Sequence, residues 1–92
     1  MSEIEFSISD KDIISIMQEN HNAQIMNTVD KLIEYCRHKE KEFLADKSEH
    51  SGSEFLHQLA SNGTLPPYLY LKIKECIDNP DAPYKININH NQ

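Results

Sequence analysis

A chain of 92 residues with 38% hydrophobic content and a formal net charge of -6 is one small domain with a thin core, too acidic to favour nucleic acid or an anionic membrane surface. The acid is concentrated early: Met1 to Cys36 holds seven acids and two bases, Arg37 to Lys47 three and four, Ser48 to Gln92 five and three. No apolar run approaches the ~18 residues of a membrane span and the Ser-Glu-Ile-Glu start lacks the basic and apolar regions of a signal peptide, so the chain reads as soluble and cytoplasmic.

In chain order, Glu3 to Ile8 alternates, with Ile4, Phe6 and Ile8 on one side and Glu5 and Ser7 on the other, which is strand periodicity. It runs into a helix start. Ser9 can cap, Asp12 sits at the third helical position of a capping box, and Ile8 and Ile13 flank the cap as a staple, so the first helix begins at Asp10. The polar run Gln18 to Asn22 ends it, and a short antiparallel turn follows.

Ala23 to Lys47 is the longest periodic stretch. Ile25, Met26, Val29, Leu32, Ile33 and Cys36 recur at spacings of three and four, one face of a helix. If helical throughout it spans roughly 37 Å at about 1.5 Å per residue. Between Arg37 and Glu42 the stripe gives way to RHKEKE, whose alternating signs fit a solvated, projecting face, and Phe43 and Leu44 are expected to dock again beyond it.

Ser51 followed by Glu54 is a second capping box, opening a short helix from Gly52 to Ser61 that Asn62-Gly63 closes. Pro66-Pro67 starts the last helix, and Pro80 cannot continue it, so it ends at Asp78 or Asn79. Tyr68, Leu69, Tyr70, Leu71, Ile73, Cys76 and Ile77 make this helix apolar nearly all round. Either it is central or it contributes to an interface, where tyrosine is favoured for its apolar body and polar tip. Tyr84 to Asn89 alternates again, so the two alternating segments lie at the two ends of the chain. The expected fold is all-α: residues 1–92 form one antiparallel four-helix domain, with a short two-stranded pairing of the termini.

The chemistry of an enzyme is missing from the pattern. Cys36 and Cys76 sit in apolar stripes, the setting of buried, reduced, inert thiols, with a disulfide between the two helices as the alternative. The five histidines lack zinc-ligand spacing, two glycines cannot build a phosphate loop, and no carboxylate has an apolar surround to tune it. No catalytic, metal or cofactor site is expected.

Three short segments resemble landmarks of a known family. Ser7-Ile8-Ser9-Asp10, Glu49-His50-Ser51-Gly52-Ser53-Glu54 and Ala82-Pro83-Tyr84-Lys85 fall in the same order and at similar separations as S-I-S-D, E-H-P-x-G-S-D and G-K-x-G-F-K of the colicin and pyocin nuclease immunity proteins. The resemblance implies a small acidic four-helix inhibitor that neutralises a basic bacteriocin nuclease, and it places Glu54 on the family's aspartate position. Where that family continues with a pair of tyrosines and a proline, this chain has Phe55-Leu56-His57-Gln58, so the tyrosine anchors are not carried over.

The reading is therefore of an acidic protein-binding protein. Asp30, Glu34 and Glu54 are its candidate electrostatic contacts, Tyr68 and Tyr70 its candidate anchors, and a basic nuclease or toxin its expected partner. A homodimer built on the last helix and the terminal segments is the alternative. A helix-turn-helix DNA binder over Phe55 to Ile77 is the third reading, opposed by Pro66-Pro67 and by Lys72 and Lys74 being that helix's only cations.

Overall fold

The computed structural model describes residues 3–19 and 29–89. In chain order the elements are β1 (Ile4–Ser9), α1 (Asp10–Glu19), α2 (Val29–Leu44), α3 (Gly52–Ser61), α4 (Pro67–Asp78) and β2 (Tyr84–Asn89). The connection between α1 and α2 and the first turns of the long predicted helix, including Ile25 and Met26, lie outside the described residues.

Local chemistry sets the helix ends. Ser9 accepts the Asp12 amide at 3.2 Å and Ser51 accepts the Glu54 amide at 3.0 Å, each satisfying a donor of a first helical turn. At the end of α3, Thr64 N–H donates to Leu59 and Gly63 N–H to Ala60, with Gly63 at φ 79. This Schellman closure needs a left-handed residue, which glycine supplies without strain. α2 closes in the same way three residues before Lys47: Lys47 N–H donates to Glu42 and Asp46 N–H to Phe43, with Asp46 at φ 65. Aspartate tolerates that conformation better than most residues, so this helix stops with neither glycine nor proline to mark it.

The all-α expectation is overturned. β1 and β2 form a two-stranded parallel sheet, so helices and sheet together make the domain. Parallel strands need a crossover, and here the whole helical part of the chain serves as one. Ile4 pairs with Tyr84, Phe6 with Ile86 and Ile8 with Ile88 on the inner face, while Glu5 with Lys85 and Ser7 with Asn87 face outward.

The core joins the inner face of β1 to α2, α3 and α4. Phe6, Ile8, Leu32, Ile33, Leu56, Leu69 and Ile73 are all buried in it. α4 buries Leu69, Ile73, Cys76 and Ile77 but leaves Tyr68 and Leu71 exposed, so it is covered on one side only. α2 and α3 approach so closely that a Cβ on Gly52 would lie 2.1 Å from the Cys36 carbonyl oxygen. Glycine there is a packing requirement between two backbones.

The charged hexad does not project as expected. Arg37 lies four residues beyond Ile33 and Glu40 four beyond Cys36, so both continue the buried stripe in charged form. The Arg37 guanidinium donates to the carbonyls of Cys76 (2.9 Å), Asn79 (3.1 Å) and Ala82 (2.9 Å), tying α2 to the turn between α4 and β2. The Glu40 carboxylate accepts the amides of Gly52 (2.9 Å) and Ser53 (3.4 Å) at the N-terminus of α3, where negative charge is favoured. Phe43 and Leu44 do not dock again: they are 41% and 76% exposed.

Candidate apolar groove beside the second strand

The two strands share an alternating pattern, but only β1 is sealed by helices, packing against α4 and α1. The inner face of β2 is left half open. Ile13 of α1 and Val29 of α2 stand over it, and with Ile8, Ile86 and Ile88 they line a groove of about 530 Å³. Met17 lies one turn beyond Ile13 on α1 and is partly exposed, and Ile88 is 44% exposed, so the apolar surface continues to solvent.

One end of the groove is polar. The Tyr84 hydroxyl donates to the Asp30 carboxylate, and the Arg37 guanidinium lies 5.1 Å from the centre of the Tyr84 ring. Burial, the hydrogen bond to Asp30 and the nearby charges of Asp30 and Glu34 all push the Tyr84 phenol up, outweighing the opposing effect of Arg37. Asp30 lines the groove and is exposed, and Glu34, also exposed, stands one turn further along α2. The apolar trough thus has one carboxylate, Asp30, in its lining together with Lys85, and a second carboxylate, Glu34, one turn further along the same helix.

The five residues expected to contact a partner are not gathered into one surface. Asp30 and Glu34 stand at the groove. Glu54 opens α3, where its carboxylate lies 2.7 Å from His50 Nδ1. The amides neighbouring Glu54 are capped by Glu40, ten residues past Asp30, so Glu54 belongs to a region about 15 Å along α2 from the groove. Tyr68 is exposed on α4 and its hydroxyl donates to Asp12. Burial, that bond and the Asp12 charge push its phenol to about 12. Tyr70 is half-buried against the core, its ring 6.2 Å from that of His57.

What the sequence reading missed is the role of Tyr84, Ile13, Ile86 and Ile88. The signal was present in the alternation after Pro83, since an amphipathic strand must have its apolar face covered by something. Which helices cover it, and how incompletely, is not a local property.

The two cysteines are buried and free. Burial raises both thiols, Cys36 to about 12, which keeps them protonated and poorly nucleophilic at neutral pH. Among the described residues, no group of three or more histidine, cysteine, aspartate or glutamate side chains is placed to hold a metal ion, and no helix is long and apolar enough to cross a membrane. No protein-family model, no curated protein and no solved structure matches this chain.

Proposed function

We propose that the chain is an acidic, non-catalytic protein-binding domain that holds a basic partner protein at the groove beside β2. The observation that carries this reading is the groove itself: half-open apolar surface from Ile13, Ile86 and Ile88 over the buried Ile8 and Val29, with Asp30 and Lys85 in its lining and Glu34 exposed one turn further along α2. Apolar area supplies residence time, and a carboxylate pair on a chain of net charge -6 supplies attraction for a cationic surface. Occlusion of a basic partner's working surface is the way such a domain acts as an inhibitor, the role that the resemblance to immunity proteins also implies. Glu54 pairs with His50 at the start of α3, so the reading rests on Asp30 and Glu34 rather than on Glu54.

A synthetic peptide of alternating lysine and valine serves as the probe. Its affinity for the full chain is measured by calorimetry across a range of salt. Reversing both carboxylates, Asp30→Lys with Glu34→Lys, is expected to weaken binding at least about tenfold and to flatten its salt dependence. Glu54→Lys leaves it unchanged. Equal effects at the two places would reject the groove as the binding surface.

A further inference from the structure

The groove is bordered by something a basic surface alone would not use. Ile4 N–H donates to Pro83 O at 2.9 Å, which fixes the direction of the main-chain groups along β2. Successive residues of a strand send their N–H and C=O groups to opposite edges, so Lys85 and Asn87 address β1 while Tyr84, Ile86 and Ile88 address the outer edge. The sheet has two strands, and among the described residues no main-chain bond reaches that outer edge. Of the usual protections of an edge strand, β2 has no proline and a single charged residue, Lys85, which pairs with Glu5 and borders the groove.

Building on the proposed function, we infer that the partner enters as an extended segment that adds to β2 as a third strand. Its main chain pairs with the outward groups of Ile86 and Ile88, its alternate apolar side chains continue the row Tyr84, Ile86, Ile88 over the groove, and a lysine or arginine at one end meets Asp30 and Glu34. This is strand addition, in which main-chain bonds give affinity and alternate side chains give specificity.

Charge distinguishes this occupant from a second copy of the chain. Antiparallel pairing of β2 with its own copy around Ile86 would set Tyr84 opposite Ile88 and Lys85 opposite Asn87. The face turned to the groove would then carry only tyrosine and isoleucine. It would bring no cation to Asp30 and Glu34. A basic extended segment completes both the edge and the acidic end.

The test uses the same lysine-valine peptide in two forms, plain and N-methylated at alternate backbone amides so that one edge cannot hydrogen-bond. The plain form is expected to bind at least about tenfold more tightly than the N-methylated form, and to shift the amide resonances of Ile86 and Ile88. Ile86→Pro removes one outward N–H while sparing the bonds to β1, because proline is tolerated at a strand edge. It is expected to weaken the plain peptide about tenfold and the N-methylated form hardly at all.

Equal binding of the two peptide forms overturns strand addition, whether or not Ile86→Pro folds. If binding nevertheless still depends on Asp30 and Glu34, the proposed function survives that result. Loss of the Asp30 and Glu34 dependence as well removes both. No measurable binding of the plain peptide overturns the inference. So does a concentration-dependent dimer in sedimentation that Ile86→Pro converts to monomer, because the edge then belongs to a second copy.

Discussion

β1 and β2 are the same length, alternate in the same way and lie side by side in register, yet Phe6 is 6% exposed and Ile88 44%. Their pairing is mutual; their burial is not. β1 touches both α1 and α4, whereas β2, among the described residues, has β1 as its one strand neighbour. Alternation shows that a segment can present an apolar face. Whether that face is sealed depends on which helices lie over it.

Four measurements break or sharpen the comparison. The largest contrast comes from truncating the inner face of each strand. Phe6→Ala removes a large buried ring and should cost about 3–5 kcal/mol in chemical denaturation, while Ile88→Ala should cost less than about 1 kcal/mol. Similar losses would mean that β2 is covered in solution. Gly52→Ala comes next. It forces a methyl group against the Cys36 carbonyl, so α2 and α3 must separate, at a cost of about 2–3 kcal/mol.

Arg37→Met tests what holds β2 in place. It keeps much of the side-chain volume but leaves the carbonyls of Cys76, Asn79 and Ala82 without their donor, for about 1–3 kcal/mol. Amide exchange should quicken across residues 79–89 more than in α3, and a uniform change would argue against Arg37 as the tie to β2.

The smallest effect is that of alkaline pH. Tyr68 is raised from its usual 10.0 to about 12 and Cys36 from 9.0 to about 12, each by burial first, and Tyr84 is raised in the same sense. A folded-state value above the unfolded one means stability that is fully present below the unfolded value and lost as pH rises towards the folded one. Stability from these groups should hold through neutral pH and fall between 9 and 12. Tyr68→Phe should reduce that fall, measured by thermal melts across the range, and an unchanged fall would remove Tyr68 from its causes.

Much of the local structure was legible. Ser9 and Ser51 announce their helices because a side-chain oxygen three residues before a free amide is a short-range arrangement. Gly63 announces an end because only a residue without a Cβ takes that turn freely. The alternation at Ile4, Phe6, Ile8 and at Tyr84, Ile86, Ile88 is equally local. Arg37 and Glu40 were misread because their types indicate solvent while their spacing continues the buried stripe. A long side chain can satisfy both by turning its charge onto main-chain groups of a neighbouring element.

The sequence by itself thus determined where α1, α3 and α4 begin, how α3 and α4 end, and which faces of the strands are apolar, all matters decided within a few residues. Only the tertiary structure decided that β1 and β2 run parallel, that Asp30 lines a groove while Glu54 stands elsewhere, and that one strand is buried and the other half open. Those depend on contacts between residues far apart in the chain, such as Arg37 with Ala82 and Asp30 with Tyr84, and no local preference specifies which distant partner a side chain will meet.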